Sequence, residues 1–216
     1  RVIEDAAHAF GSIYNGKRVG SFGDIACFSF DGIKNITSGE GGCVVSHNEK
    51  ILKRVRDSRL LGVEKDTEQR YSGNRSWDFD VSNQGWRCHM SNIMAALGNE
   101  QLKRINEISL LRQSIAMLYD ELLKDIKYIK TIKHNYSDVV PHIYVILLES
   151  NEICENVKRA LANNGIETGV HYKPNHLLSY YSDNNIQPLP ITEDVYRRII
   201  TLPLHTDLFK EDVKYI

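Results

Sequence analysis

The sequence predicts a mixed α/β protein, and three observations carry that prediction. Short apolar runs that are typical of strands flank a glycine-rich loop within residues 1–47. An apolar stripe with helical spacing follows over residues 91–122. Strand-like and helix-like segments then alternate, which indicates a second, smaller α+β domain. We therefore predict a first domain at residues 1–124, which includes the long helix, and a second domain at residues 125–216.

Two strands of the first domain are predicted at residues 25–30 and 42–46, with the polar segment DGIKNITSGEG between them. One interpretation is a hairpin with a long loop, and the other is a pair of scaffold strands that holds a reactive loop. Residues 48–61 have apolar positions at helical spacing, and Gly62 stands where such a helix would end.

Residues 63–90 show little periodicity, and an irregular stretch of this length is often functional. Ser91 is a plausible N-cap for the long helix, whose apolar stripe is more simply core than a cofactor site. In the second domain the pattern predicts strands at residues 126–132, 142–148 and 166–171, and helices at residues 152–164 and 192–200.

Composition excludes several classes of partner. The chain has 216 residues, of which 42% are hydrophobic and 25% charged, as in an ordinary soluble domain. A formal net charge of −1 gives no electrostatic reason to expect nucleic acid or an anionic membrane as partner. The apolar runs are too short for any segment to span a bilayer.

The four cysteines are widely spaced and form no C-x-x-C pair, which argues against a structural zinc site. We predict that each is a free, buried thiol, as suits a cytoplasmic protein. The chain opens directly in RVIEDAAHAF, where V-I followed by acidic residues is typical of the end of a strand. We therefore expect it to be an internal part of a longer protein.

Four side chains in the first 42 residues are candidates for chemistry. Asp5 ends an apolar strand, where a carboxylate can project into a crevice at the sheet edge, and His8 follows one turn later if the chain becomes helical. Ser29 lies in the strand before the glycine-rich loop, and Lys34 lies in that loop. Three of them also have a simpler interpretation: Asp5 as a helix cap, Ser29 as a buried hydroxyl and Lys34 as a solvated charge.

Longer motifs point to a family. The segments VIEDAAHAFGS and GDIACFSFDGIKNITSGEGG resemble the signature of the DegT/DnrJ/StrS family, the pyridoxal-phosphate-dependent nucleotide-sugar aminotransferases. The resemblance continues through GWRCHMSNIMAALGNEQL, VHYKPNH and LPLHTDL, and so covers essentially the whole chain. It implies the aspartate-aminotransferase-type fold (fold type I): part of a large α/β domain, followed by a small C-terminal α+β domain.

Carried over residue by residue, the resemblance implies that Lys34 forms a Schiff base with pyridoxal phosphate (PLP) and then acts as general base and acid. Asp5 would pair with the pyridinium nitrogen, a contact that makes the ring a better electron sink. His8 would lie near the ring hydroxyl, and Ser29 would bind the phosphate. Some relatives carry His in place of the lysine and are dehydratases, so Lys34 argues against that activity.

One position departs from the family pattern. Many relatives have G-x-N-Y-R-M before the long helix, and their Asn reaches the phosphate of the neighbouring subunit's cofactor. The register here gives G-W-R-C-H-M, which puts Arg87 at the Asn position. An arginine can bind phosphate with two parallel hydrogen bonds, and it can equally form a structural ion pair.

His171, Tyr172 and His176 lie in the segment that resembles the border of the family's substrate cleft, so substrate contact is one interpretation. The other is that the histidines cap a junction between a strand and a loop. No third ligand is evident near them, and we predict no metal site. Glu40 lies among glycines that explain the loop's shape, and no role for its carboxylate follows.

The implied reaction is transfer of an amino group from glutamate to a keto group of a nucleotide-linked deoxysugar. The preferred substrate is dTDP-4-keto-6-deoxyglucose, which would give a 4-amino-4,6-dideoxy sugar for lipopolysaccharide O-antigen or a related surface glycan. A 3-keto isomer and a GDP- or UDP-sugar are alternatives. A homodimer with shared active sites is also implied. The rival hypotheses are a regulatory or catalytically silent protein of the same fold and a truncated remnant.

Overall fold

The computed structural model describes residues 1–64, 72–73, 79–181 and 187–216. The chain forms two compact units, Arg1–Glu107 and Ile108–Ile216. The boundary lies within the helix at Ile105–Leu123, whereas the sequence had suggested a boundary near residue 125. The physical reason is that buried residues of this helix pack in the core of the second unit. Parts of the irregular segment 63–90, including Trp77, lie outside the described residues.

Within its described residues, the first unit contains a three-stranded sheet, a small hairpin, two helices and the start of a third helix. Its elements are the strands β1 (Ile3–Asp5), β2 (Ile13–Tyr14), β3 (Lys17–Arg18), β4 (Ile25–Ser29) and β5 (Gly42–Val45), and the helices α1 (Glu49–Ser58) and α2 (Asn92–Lys103). The sheet has the order β1-β4-β5, with β1 parallel and β5 antiparallel to β4. The carboxyl ends of β1 and β4 therefore meet at one sheet edge.

The predicted strands β4 and β5 are confirmed, and so is the helix that follows them. Asn48 caps α1, because its side-chain oxygen accepts hydrogen bonds from the backbone N–H groups of Lys50 and Ile51. Gly62 follows the helix with a φ of 80°, in the left-handed region that glycine adopts without strain.

The long helical stripe is two helices rather than one. Ser91 caps α2 as predicted, since its hydroxyl accepts from the N–H of Met94. Arg104, with φ −97° and ψ 5°, separates α2 from α3 (Ile105–Leu123). The expectation that the whole stripe is core is also wrong for this chain. Leu97 is 54% exposed, whereas the buried residues of the stripe belong to α3.

The second unit is a three-stranded antiparallel sheet with helices packed on it. After α3 come β6 (Ile129–Thr131), β7 (Tyr144–Leu148), α4 (Asn151–Asn163), a 3₁₀ turn (Asn175–Leu177), α5 (Pro190–Arg198), β8 (Ile199–Leu202) and α6 (Lys210–Tyr215). The strand order is β6-β7-β8. The core comprises residues of α3, β7, β8, α4 and α6, centred on Tyr119, Ile146 and Ile200.

One prediction for this unit is wrong, and the bounds of a second are shifted. Residues 166–171 form no strand, because only Gly169 pairs, in an isolated bridge to Thr201. The helix predicted at residues 192–200 ends at Arg198, and Ile199–Leu202 is a strand with all its residues buried. The predicted strands at 126–132 and 142–148 and the helix at 152–164 are found, with shorter or shifted bounds.

All four cysteines are free thiols, but only Cys154 is buried. Cys27 and Cys43 are half-buried, and Cys88 is exposed, so the prediction of burial fails for three of them. Burial raises the pKa of Cys43 above its ordinary value. Among the described helices, none combines the length and the apolar character that crossing a membrane requires.

Candidate active site

Asp5 and Ser29 lie on one face of the first sheet at the edge where β1 and β4 end. Asp5 is the last residue of β1 and pairs in parallel register with Cys27 of β4. Paired residues of neighbouring strands share a face, and residues two apart along a strand share a face as well. Since Ser29 is two residues beyond Cys27, its side chain is on the same face as Asp5. The register thus brings a carboxylate and a hydroxyl together at the carboxyl ends of two parallel strands.

The Lys34 loop leaves this edge and is held by its own backbone. The N–H of Phe30 donates to the carbonyl of Gly41 (2.8 Å), and the N–H of Ser38 donates to the carbonyl of Phe30 (2.9 Å), so that the two ends of the loop are joined. Within the loop, the N–H of Lys34 donates to the carbonyl of Asp31 at 3.1 Å. The side chain of Lys34 is half-buried. The strands β4 and β5 therefore form a hairpin, and its long loop, which carries Lys34, is held at both ends.

The base of this loop is packed tightly. Ser38 is fully buried, and its hydroxyl donates to the carbonyl of Glu40 at 2.8 Å. A Cβ atom at Gly42 would lie 2.5 Å from the carbonyl oxygen of Phe28, so only glycine allows β4 and β5 to approach this closely. Met90 packs against Gly41, where a Cβ atom would collide with its methyl group. Gly41 and Gly42 therefore serve close packing, whereas Gly39 serves the turn of the backbone with its φ of 84°. The Glu40 side chain is exposed.

Asp5 is not a helix cap, because no helix follows it. The chain turns after β1, with the N–H of Ala9 bonded to the carbonyl of Ala6 at 3.0 Å. One carboxylate oxygen of Asp5 accepts from the N–H of Ala7 at 3.3 Å, and the side chain remains exposed. His8 is exposed on the same turn, so it does not follow Asp5 by a helical turn as the sequence had suggested.

Glu4 is a residue that the sequence interpretation missed. Its carboxylate accepts hydrogen bonds from the backbone N–H groups of Gly20 (2.8 Å), Phe22 (2.8 Å) and Gly23 (2.6 Å). The bond from Gly23 is the strongest cause that lowers the pKa of Glu4 below its ordinary value. Glu4 thereby ties the turn before β4 to β1, while its neighbour Asp5 stays available at the edge. The signal was an acidic pair at a strand end, where alternation sends one carboxylate to each face.

Arg87 lies on an exposed segment beside the end of α1. The N–H of Trp86 donates to the carbonyl of Ser58 (2.7 Å), the N–H of Cys88 donates to that of Arg59 (2.8 Å), and Arg87 itself bridges Leu60. Its side chain is exposed, and within the described part of the chain it forms no ion pair. The alternative of a structural ion pair therefore gains no support from the described residues.

His171 and Tyr172 belong to the second unit. The Nδ1 atom of His171 lies 2.8 Å from the hydroxyl of Thr201, on the strand β8. Two backbone bonds between Gly169 and Thr201, of 3.0 and 2.8 Å, fix the chain just before the histidine. The ring of Tyr172 packs edge-on against that of His171, with 4.6 Å between centroids, and Tyr172 is exposed. The Thr201 contact thus sets the orientation of the His171 imidazole.

His176 contacts a carboxylate rather than open solvent. Its Nε2 atom lies 3.2 Å from Oε1 of Glu193, which also accepts a hydrogen bond from the N–H of Leu189 at 3.1 Å. The bond with His176 is the main reason that the pKa of Glu193 is held below its ordinary value. The pair joins the 3₁₀ turn to the first turn of α5, and it is not the cap of a strand-to-loop junction that the sequence had offered, because no strand forms at residues 166–171. Among the described residues, no three metal-ligating side chains come together.

The donor set of the sheet edge fits the cofactor that the resemblance implies. Lys34 carries an amine that can form a covalent bond with the aldehyde of PLP. It lies in a loop whose two ends are joined by backbone hydrogen bonds. The exposed carboxylate of Asp5 is free to meet a pyridinium nitrogen, and the hydroxyl of Ser29 can donate to a phosphate. Ser29 already accepts a 3.4 Å bond from the N–H of Asp31, which leaves its own proton for a ligand. This edge therefore offers a partner for the aldehyde, the ring nitrogen and the phosphate of PLP.

The sequence model of the DegT/DnrJ/EryC1/StrS aminotransferase family matches residues 1–216. A UDP-4-amino-4,6-dideoxy-N-acetyl-β-L-altrosamine transaminase of Campylobacter jejuni is 34% identical over 220 residues, which cover 100% of this chain and 56% of that protein. A GDP-perosamine synthase of Escherichia coli O157:H7 is 37% identical over 218 residues, again covering 100% of this chain and 56% of the relative. This chain thus spans slightly more than half the length of these curated relatives.

A solved structure is similar over nearly the whole chain. Spr1654 of Streptococcus pneumoniae in its PMP form superimposes with a TM-score of 0.85 and 33% identity, covering 99% of this chain and 56% of that one. Its PLP form gives a TM-score of 0.84 and 32% identity. The cofactor forms of this neighbour agree with the donor set found at the sheet edge.

Proposed function

Because the chain belongs to the DegT/DnrJ/EryC1/StrS aminotransferase family, we propose that the protein transfers an amino group from glutamate to the keto group of a nucleotide-linked deoxysugar. The observation that carries this proposal is the placement of Asp5, Ser29 and the Lys34 loop at one edge of one sheet. Fold similarity alone does not assign an activity, and the proposal therefore depends on these side chains.

Each of the proposed cofactor-binding residues has its own role. PLP, when bound, supplies an aldehyde that bonds amines and a ring that withdraws electrons from the adjacent carbon. Lys34 Nζ would hold the cofactor and would move the proton at the donor's α-carbon. The Asp5 carboxylate would keep a proton on the ring nitrogen, and Ser29 would bind the phosphate. His8, on the turn after Asp5, is proposed to contact the ring hydroxyl.

Arg87 is proposed to serve the second copy of the site in a homodimer. Its exposed guanidinium, without an ion-pair partner among the described residues, is suited to a phosphate on another subunit. His171 and Tyr172 are proposed as substrate contacts, supported by the fixed imidazole and the exposed phenol. The bond between His176 and Glu193 favours a structural role for His176, which would hold the 3₁₀ turn in place, and argues against a direct contact with the substrate.

For the sugar, we propose a 4-keto-6-deoxyhexose linked to dTDP, with product use in a surface polysaccharide. The C. jejuni relative is named for a UDP-linked 4-amino-4,6-dideoxy sugar and the E. coli relative for a GDP-linked product. These names support the sugar class, and they make UDP and GDP the alternatives to test. We further propose that the protein works in the cytoplasm, as the free thiols suit.

The test is turnover by the full-length protein with glutamate, PLP and a panel of dTDP-, UDP- and GDP-linked 4-keto-6-deoxy sugars. Mass spectrometry should detect the amino sugar with one nucleotide, and Lys34→Ala should abolish it. A protein that binds PLP but forms no amino sugar from any member, including 3-keto isomers, would instead support a regulatory or catalytically silent role.

A further inference from the structure

Asn35, the residue after Lys34, connects the lysine loop to the segment that follows Asp5. It is only 4% exposed, and its side-chain Nδ2 donates to the backbone carbonyl of Phe10 at 3.0 Å. Phe10 lies five residues beyond Asp5 and two beyond His8. The two stretches of chain that carry the proposed cofactor contacts are thus joined by one buried side chain.

Phe10 is itself fixed to the strand that leads into the lysine loop. Its ring lies edge-on between Phe28 and Phe30, with centroid distances of 5.2 and 5.4 Å. At the other end of this segment, the N–H of Ala6 donates to the carbonyl of Cys27 at 2.9 Å. The chain from residue 6 to residue 10 is therefore held against β4 at both ends, and Asn35 adds a bond from the loop itself.

We propose that Asn35 is a positioning residue that fixes the separation between the Lys34 amine and the Asp5 carboxylate. This inference rests on the proposed function. The lysine must reach the aldehyde on one side of the pyridine ring while the carboxylate meets the nitrogen on the opposite side. A rigid link between their two segments holds both ends of the cofactor at once, and a displacement of 1 Å between reacting groups can cost about 100-fold in rate.

The hydrogen bond from Asn35 to Phe10 is sensitive to substitution because the Asn35 side chain is buried. Removing the amide donor leaves the Phe10 carbonyl without that bond, and the carbonyl can regain a partner only if the loop moves. Movement of the loop would carry Lys34 with it, since Asn35 is its immediate neighbour. The effect of a substitution should therefore appear in the chemistry of the bound cofactor as well as in stability.

The experiment compares Asn35→Asp and Asn35→Ser with the wild type in the full-length protein. The aspartate is isosteric and replaces the donor by an acceptor, whereas the serine is too short to reach Phe10 and adds no charge. Asn99→Asp, at an exposed position of α2, is the charge-matched control. The readouts are covalent PLP on Lys34 after borohydride reduction, the pH midpoint of the bound cofactor's absorbance change, kcat and KM for the keto sugar, and the thermal midpoint.

The expected result is that both Asn35 variants still bind PLP on Lys34, with a shifted pH midpoint and a kcat reduced at least about tenfold, while KM changes little. Asn99→Asp should match the wild type in every readout. If Asn35→Asp does not fold, the same outcome is required of Asn35→Ser. A wild-type pH midpoint and a wild-type rate per bound cofactor, with only the thermal midpoint lowered, would reduce Asn35 to a structural role and overturn the inference. Absence of covalent PLP in the wild type would overturn the proposed function instead.

Discussion

Asp5 and Ser29 project from the same face of one sheet because Asp5 pairs in parallel with Cys27, two residues before Ser29. This relationship is set by strand register alone, and a slip of one residue would send the carboxylate to the opposite face. The carboxylate of Asp5 and the hydroxyl of Ser29 therefore lie on the same face of the sheet, next to the loop that carries Lys34.

Asp5→Asn tests the carboxylate of this pair. The amide has the same shape but cannot hold a proton on the ring nitrogen by charge, so a charge-assisted hydrogen bond of about 1.5–3 kcal/mol is lost. We expect kcat of the full-length protein to fall about 10- to 100-fold while PLP stays bound to Lys34. Steady-state kinetics together with an absorbance spectrum measure both. An unchanged kcat would mean that Asp5 does not face the ring.

Glu4→Gln tests the neighbouring carboxylate. The pKa of Glu4 is lowered chiefly by the hydrogen bond from the N–H of Gly23, so the ionised form is favoured in the folded state. The stabilisation is present above the pKa of an unfolded glutamate, near 4.3, and is lost as the pH falls through the depressed folded value. Thermal midpoints measured from pH 7 to pH 3 should fall more steeply in the wild type than in the variant. Parallel curves would contradict this role.

A double-mutant cycle tests the contact between His176 and Glu193. The side chains are 13% and 24% exposed, so their hydrogen bond is largely shielded from solvent. We expect the effects of His176→Ala and Glu193→Ala on the free energy of unfolding to be non-additive, because each substitution removes the same hydrogen bond. Denaturant titrations of the four proteins give these free energies. Additive effects would restore the interpretation of His176 as a residue that faces the substrate.

Mixed dimers test whether Arg87 serves the partner's site. If it does, a dimer of one Lys34→Ala subunit and one Arg87→Ala subunit contains one site with both defects and one intact site. Co-expression with two affinity tags isolates this dimer, which should have about half the wild-type activity by symmetry. Each parent homodimer should be impaired, Arg87→Ala by about 10- to 100-fold. A mixed dimer no more active than its parents would place Arg87 in its own subunit's site.

Much of the first unit could be predicted because local signals agree with the packing. The runs IACFS and GCVV are strands, and Asn48 and Ser91 cap the helices that follow them. The resemblance then assigned Lys34, Asp5 and Ser29, and the register of the sheet supports the grouping of Asp5 and Ser29.

The errors arise where the sequence signal is ambiguous. Arg104 breaks the long helix although neither adjoining residue is Gly or Pro, and nothing in the apolar spacing marked the break. Ile199–Leu202 is a buried strand of four residues, and a short apolar run directly after a helix cannot be separated from the helix by periodicity. The exposed Leu97 shows that an apolar stripe does not establish burial within a given chain.

The contacts of single side chains were the least predictable. Glu4 and Asp5 are adjacent acids at a strand end, and only the structure shows which one binds backbone and which one stays exposed. The same holds for Asn35, whose polar side chain in a glycine-rich loop gave no sign of its bond to Phe10.

We propose that Lys34 forms the covalent bond with PLP. The most direct measurement is reduction of the PLP-loaded full-length protein with borohydride, followed by proteolysis and mass spectrometry of the peptides. The reduced cofactor should be found on the peptide that contains Lys34, at that residue, and Lys34→Arg should carry none there. Recovery of the cofactor on another lysine, or an unmodified Lys34 in a fully loaded protein, would contradict the account.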